Sequence, residues 1–429
     1  MNEVLTRSPA PDEVAARGST DPDAGAAGAT GKTGVGPQRP DGAPPPASGR
    51  TMLLTGNHAV AWAAKLARPK FAPGYPITPQ TPILEKLTDF EAAGEFDGTI
   101  ITPESEHSVM SACIPASLAG VRVFTATASQ GLLLMHEVLH YASGARAPIV
   151  VANVNRTVAS PWAFWPDQTD SLAQRDTGWI QFYSESAQES LDSVIQAFRL
   201  AEAVLVPAMV NHDAFYVSHA LEPVHVPAQE LVDAFLPEFD PSHRIDPTRG
   251  ESWGNVVTQE MFARHRRDLA DAMARALELA PVIDREWAAL TGRSWGIVER
   301  YRCDGARKVL VTMGSMCGTA RDAVDAMREQ GIEVGLVKLR LFRPFPFAAL
   351  RAALADIPEV IVLDRNYSPG SGGVLHQELR AALCGVSDAP VIRGLLAGVG
   401  GVNVPPERII EFVRDSASYD SGPETVWAS

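Results

Sequence analysis

The chain has 429 residues, 45% of them hydrophobic, enough to bury two or three sizeable cores. Its net charge is −14, with 51 Asp and Glu against 37 Lys and Arg, which excludes a general basic surface for nucleic acid. No stretch approaches the ~20 apolar residues that a membrane span requires. The four cysteines, Cys113, Cys303, Cys317 and Cys384, include no C-x-x-C pair. This excludes a disulfide framework, a cysteine-rich zinc site and a cluster-binding ferredoxin run, and each cysteine is expected to be a buried small hydrophobe. The first residues lack a basic start and an apolar run and soon meet Asp12 and Glu13. The expectation is no secretory signal and a cytoplasmic address.

Residues 1–50 are rich in Ala, Gly, Pro and Asp and nearly free of large apolar residues, so a disordered tail is expected. From Thr51 the pattern alternates. A helix is predicted over Asn57–Leu66, a short strand leading to Ile77, a helix over Ile83–Phe90 and a strand over Thr99–Thr102. A helix over Ser105–Leu118 follows, then a strand over Val121–Thr127, a helix over Gln130–Ala142 and an apolar strand over Pro148–Asn153. A long polar and aromatic loop runs from Asn155 to Asp176. Beyond it come a strand near Ile180, a helix over Ala187–Ala203 and a strand near Ala208. Strands alternating with helices of this length predict a parallel sheet covered on both faces. Ligands of such sheets sit at the carboxyl ends of the strands. Thr78, Glu104–His107, Ser129 and Asn155–Arg156 all lie just past predicted strands and are expected on one rim. Five prolines between residues 222 and 255 mark a surface connector, and Val257–Leu290 reads as a long solvated helix. A second α/β unit begins at Lys308, with strands over Val309–Gly314, Val334–Leu341 and Val360–Asp364. Its helices are predicted over Thr319–Gln330, after the Pro369–Gly373 loop, and over Pro405–Arg414. The expected division is tail 1–50, first domain 51–240, connector with long helix 241–300 and second domain 301–429.

Two local patterns carry candidate chemistry. Gly74–Pro82 reads GYPITPQTP before a helix, where either Thr78 or Thr81 can be the N-cap. A threonine hydroxyl and backbone N–H groups at a positive helix end suit a small anion such as a carboxylate; the plain alternative is a strand-to-helix turn stiffened by proline. His136-Glu137-Val138-Leu139-His140 fits H-E-x-x-H, the zinc-metalloprotease signature, with Glu137 as base. The extended form fails, because Gly144 stands one place late and no histidine follows at the required spacing.

At Tyr75–Pro79 (YPITP) the chain resembles the alpha subunit of the pyruvate:ferredoxin oxidoreductases, or pyruvate synthases, within the 2-oxoacid:ferredoxin oxidoreductase family. The resemblance covers about residues 51–420. It continues through Thr55–Asn57, Glu104–His107 (ESEH), Thr127–Gly131 (TASQG), Asn155-Arg156, Asp167–Asp170 (DQTD), Arg175–Gln181 (RDTGWIQ), Phe342–Pro346 (FRPFP) and Asp364-Arg365. The fold it implies is α/β: a thiamine-diphosphate-binding pyrimidine domain, a parallel sheet with helices on both faces, followed by a transketolase C-terminal-like domain. The cofactor is thiamine diphosphate with Mg²⁺, shared with a partner subunit. Consistent with this, no Gly-Asp-Gly occurs, since Asp97-Gly98 and Asp304-Gly305 lack the preceding glycine that a diphosphate and Mg²⁺ site uses.

The resemblance also implies roles. Glu106 matches the carboxylate that contacts the aminopyrimidine and promotes loss of the thiazolium C2 proton, as catalytic and cofactor-binding residue; read without the family it is a glutamate at a helix start. Thr78 and Arg156 match the residues that bind the substrate carboxylate, a task suited to the planar fork of arginine. Ser129 and Gln130 would lie beside the thiazolium as cofactor-binding residues. Asp167, Asp170 and Asp176 are candidates for positioning Arg156 or for contacting another subunit, and Trp162, Phe164 and Trp165 for walling the pocket or for packing. The implied reaction is oxidative decarboxylation of pyruvate to acetyl-CoA and CO₂ with coenzyme A as co-substrate, reversible in principle, with electrons passing to ferredoxin or flavodoxin; another small 2-oxoacid is the alternative. The [4Fe-4S] clusters would reside on partner subunits only. Expected partners are a thiamine-diphosphate-binding beta subunit, a gamma subunit and a ferredoxin-like delta subunit, separate or fused.

Overall fold

Apolar strands alternating with amphipathic helices build two main sheets, beside two smaller two-stranded ones among the described residues. The computed structural model describes residues 49–241, 243–249 and 253–428; the predicted tail up to residue 48 lies outside the described residues. The first sheet takes its strands in the order Leu341–Arg343, Ile180–Ser184, Ala208–Asp213, Val150–Asn155 and Phe124–Thr127. The last four run parallel, and Leu341–Arg343 joins antiparallel with Leu341 opposite Phe182. The parallel pair Phe71–Pro73 and Thr99–Ile101 extends this direction through a parallel bridge between Phe71 and Val123. Every residue of Val150–Asn155 and Ala208–Asp213 is buried, as two covered faces require. Successive side chains serve opposite cores: Val150, Ala152 and Val154 pack with Phe124, Ile195 and Phe198, while Val151 packs with Met110, Leu139 and Trp179.

The second sheet runs Thr425–Trp427, Val391–Leu396, Glu359–Asp364, Lys308–Thr312, Val334–Leu339 and Val298–Tyr301, parallel except for the last. Both sheets belong to one compact unit. Their junction is polar and buried. Lys338 Nζ donates to Glu189 Oε2 at 2.7 Å, and Arg340 Nη2 donates to Ser193 Oγ and Gln196 Oε1, each at 2.9 Å. The 33-residue helix Gln259–Thr291 packs along helix Ala187–Val204, which itself covers the first sheet.

Several local expectations change. The tail boundary shifts, because Gly49 and Arg50 belong to a strand, Gly49–Thr55, paired antiparallel with Leu221–Pro227. That second strand lies where prolines had suggested an irregular connector; Pro223 and Pro227 are tolerated because the two strands form a sheet of only two. The helix expected over Gln130–Ala142 is broken at Met135 into Ser129–Leu134 and His136–Gly144. The strand expected up to Ile77 ends at Pro73. Cys113, Cys303 and Cys317 are buried, but Cys384 is exposed at the end of helix Val374–Leu383.

Candidate active site

Four strand ends deliver the candidate residues to one rim. Thr78 follows Phe71–Pro73, Glu106 follows Thr99–Ile101, Ser129 and Gln130 follow Phe124–Thr127, and Arg156 directly follows Val150–Asn155. Glu106 is the first residue of helix Glu106–Leu118, and Ser105 Oγ caps that helix by accepting from the Ser108 N–H at 3.3 Å. The cap and the positive helix end hold a carboxyl in this place. Glu106 is buried, and its carboxyl makes no hydrogen bond to another described residue. It lies beside Gly131. A Cβ built on Gly131 would stand 2.5 Å from Glu106 Oε1 and 2.5 Å from Thr127 Oγ1. Thr127 Oγ1 is itself buried without a partner. Helix Ser129–Leu134 thus needs glycine at this position so that the carboxyl can lie against its backbone.

Arg156 is buried at 4% exposure, yet among the described residues no carboxylate forms an ion pair with its guanidinium. Nη1 donates to the backbone carbonyl of Thr78 at 2.5 Å and Nη2 donates to Gln130 Oε1. Nε is buried and unpartnered. The guanidinium lies 5.3 Å from the ring centre of Trp162 and 5.6 Å from that of Phe164, both exposed aromatics. Burial holds its pKa below the ordinary value, with Asp170 and Glu106 acting in the opposite sense. Arginine stays charged under such conditions, so the site presents a buried cation whose hydrogen bonds among the described residues go to neutral acceptors.

The supports are buried as well. Asp170 accepts from the N–H groups of Ser129, at 3.0 Å, and Arg156, at 3.2 Å. Burial pushes its carboxyl up to about 7, against the lowering effect of these donors. Ser129 takes a φ of +47°, and its hydroxyl donates to the Thr157 carbonyl. The loop carrying Thr78 is tied by Asn57 Nδ2, which donates to the Pro79 carbonyl at 2.7 Å. Asn57 Oδ1 lies 3.2 Å from His212 Nε2, and burial pushes that imidazole down to about 4, so it is neutral.

The structure brings Thr78, Gln130, Ser129 and Arg156 into direct contact and places Glu106 against Gly131, with two differences from expectation. Thr78 touches Arg156 through its carbonyl, while its side chain is exposed. The following helix starts at Thr81 with Gln80 at the N-cap and no side-chain cap, so neither threonine caps it. The H-E-x-x-H pair is also located. His136 Nδ1 lies 2.6 Å from Gln174 Oε1, and the exposed Glu137 lies 3.7 Å from His107. Among the described residues no group of three His, Cys, Asp or Glu is placed to hold a metal ion. Asn153, Asp213, Thr127 and the spacing role of Gly131 escaped the sequence. Thr127 and Gly131 left a trace only as the two ends of the Thr127–Gly131 motif.

The residues fit one end of thiamine diphosphate. A buried carboxyl without a partner, an orphaned hydroxyl and a backbone left open by glycine match a ring bearing donors and acceptors. Residues 62–283 match the family model described as pyruvate flavodoxin/ferredoxin oxidoreductase, thiamine diP-bdg, and residues 306–409 match pyruvate:ferredoxin oxidoreductase core domain II. The chain is 47% identical to pyruvate synthase subunit PorA of Methanothermobacter thermautotrophicus, over 84% of this chain and 94% of that protein. It is 46% identical to ketoisovalerate oxidoreductase subunit VorA of Pyrococcus abyssi, over 81% and 89%. Its fold is similar to 2-oxoglutarate:ferredoxin oxidoreductase from Magnetococcus marinus, with a TM-score of 0.68 at 21% identity, covering 85% of this chain and 65% of that one. The chain belongs to the pyruvate flavodoxin/ferredoxin oxidoreductase family, as a subunit of the alpha type.

Proposed function

We propose that this chain is the alpha subunit of a cytoplasmic complex that oxidatively decarboxylates a small 2-oxoacid, pyruvate first, with coenzyme A as acyl acceptor and ferredoxin or flavodoxin as electron acceptor. The observation that carries this is the buried, unpartnered Glu106 carboxyl lying against Gly131. A carboxyl on a buried residue, with no hydrogen bond among the described residues, is placed to exchange a proton with a ring nitrogen brought to it. When bound, thiamine diphosphate supplies the electron sink for decarboxylation. Arg156 would pair with the substrate carboxylate through its fork, with the Thr78 hydroxyl as a second donor, while Trp162 and Phe164 shield the cation from water. Ser129 and Gln130 would border the cofactor and hold Arg156 in its plane.

The diphosphate and Mg²⁺ would be gripped by a beta subunit. Neither a Gly-Asp-Gly run in the sequence nor a suitable acidic donor set among the described residues supports holding them here. Iron–sulfur clusters on a ferredoxin-like delta subunit, with a gamma subunit completing the complex, would carry the electrons away. No helix among the described residues is long and apolar enough to cross a membrane. A branched 2-oxoacid is the second reading, favoured by the near-equal identity to the PorA and VorA proteins.

Glu106→Gln in the assembled complex tests the first claim. The expected result is loss of 2-oxoacid-dependent dye reduction by about 10²-fold or more with assembly intact. An unchanged rate would assign the chain a scaffolding role. Comparing kcat/KM for pyruvate and 2-oxoisovalerate on the wild-type complex decides the substrate.

A further inference from the structure

We propose that Asp170 is a positioning residue that locks Arg156 and the Ser129–Gln130 turn into one unit and fastens that unit to the second half of the chain. The inference rests on the proposed role of Arg156 as the carboxylate clamp. Asp170 is fully buried on the short helix Thr169–Leu172. Its Oδ2 accepts the N–H of Ser129 at 3.0 Å, the N–H of Arg156 at 3.2 Å and Asn153 Nδ2 at 3.3 Å, while Oδ1 accepts the N–H of Ser171 at 2.7 Å. Ser129 and Arg156 begin the turns that leave two adjacent parallel strands. One of these turns carries the guanidinium, and the other carries Gln130, whose Oε1 receives Nη2. A single carboxylate oxygen therefore sets both the root of the clamp and the root of its acceptor. It also supports the left-handed backbone of Ser129, which side chains other than glycine avoid.

The carboxyl is anchored in turn. Asn153 Nδ2 also donates to Asn155 Oδ1 at 2.8 Å and Asn211 Oδ1 at 3.1 Å. Asn155 Nδ2 donates to Asp213 Oδ1 at 3.5 Å, and Asp213 Oδ2 accepts Arg365 Nη1 at 3.0 Å and Ser315 Oγ at 2.6 Å. The segment bearing Asp170 is held from the same side, because Gln168 N–H donates to the Arg365 carbonyl at 3.0 Å and Asn366 Nδ2 donates to Thr169 Oγ1 at 3.2 Å. This gives the buried amides of the central strands and Arg365 a shared purpose: they register the clamp against the second sheet.

Asp170→Asn is the sharpest probe. An amide has one acceptor oxygen: kept toward Ser129 and Arg156 it sets its N–H₂ against the Ser171 N–H, and reversed it sets the N–H₂ against Ser129, Arg156 and the Asn153 amide, so neither orientation satisfies all four donors. In the assembled complex D170N is expected to raise KM for pyruvate at least tenfold, while KM for coenzyme A stays within twofold. The double variant D170N/R156Q should be no worse than R156Q within twofold, since a residue acting through Arg156 has nothing left to position. D170S, which keeps one oxygen in a smaller side chain, is read the same way if D170N does not assemble. An unchanged pyruvate KM in D170N, a loss additive with R156Q, or failure of both Asp170 variants to assemble would overturn the proposal. If R156Q itself leaves KM for pyruvate unchanged, the clamp reading fails and takes the positioning role with it; a D170N failure beside an intact R156Q effect removes only the latter.

Discussion

Gly131→Ala isolates the geometry of the acid without touching it. The added methyl would lie 2.5 Å from Glu106 Oε1 and Thr127 Oγ1 and 2.9 Å from Glu106 Cγ. Non-bonded heavy atoms rest at ~3.5 Å, so the carboxyl has to retreat by about 1 Å. Both obstructing groups end side chains that can rotate, and the position lies in a helix, where alanine is favoured over glycine by about 1 kcal/mol. The steric cost of overpacking is of order 1–3 kcal/mol, so the net change in stability should lie between about zero and 2 kcal/mol of loss. Activity should respond far more, because a 1 Å misplacement of a catalytic group costs on the order of 10²-fold. The assay pairs thermal unfolding of the complex with 2-oxoacid-dependent reduction of a viologen dye. Activity within threefold of wild type at unchanged assembly would refute the placement of Glu106 against Gly131 as a requirement for catalysis.

Other consequences can be read as directly. Arg156→Lys keeps the charge but loses the fork, and KM for the 2-oxoacid should rise about tenfold or more, with a smaller effect on KM for coenzyme A. The isolated chain should show no saturable binding of thiamine diphosphate and Mg²⁺ in calorimetric titration, whereas the complex should bind both. Lys338→Met leaves the buried Glu189 without its closest cation and should destabilise by about 3 kcal/mol, seen as a lower urea midpoint; a change below about 1 kcal/mol would contradict the ion pair's role at the junction. Burial pushes Asp364 up to about 7, above its unfolded value, so its favourable contribution is full below pH ~4 and is lost as pH rises through ~7. The stability deficit of Asp364→Asn relative to wild type should therefore shrink between pH 5 and pH 8, and a constant deficit would argue against the shift.

The alternating pattern was legible in strands buried on both faces, as in Val150–Asn155 and Glu359–Asp364, because each contains a short apolar run, Val150–Ala152 and Val360–Leu363. The rim position of Glu106 and Ser129 was legible where a strand end meets a helix start, whereas the roles proposed for them came from the family resemblance. What escaped was long-range. The pairing of Leu341–Arg343 with Ile180–Ser184 joins residues some 160 apart through three positions, too few to show periodicity. The strand Leu221–Pro227 hid behind Pro223 and Pro227, because proline breaks a local pattern even where an edge tolerates it. The links from Asp170 through Asn153, Asn155 and Asp213 to Arg365 are side-chain contacts between separate elements, and nothing in residue spacing announces them.

The claim on which the account depends is that Glu106 handles a proton for a cofactor gripped mainly by another subunit. Deuterium exchange at the thiazolium C2 of thiamine diphosphate, measured by rapid acid quench in the assembled complex, tests it without requiring turnover. The E106Q complex should bind the cofactor yet exchange about 10²-fold or more slowly than wild type. Equal exchange rates in the two complexes would contradict the assignment.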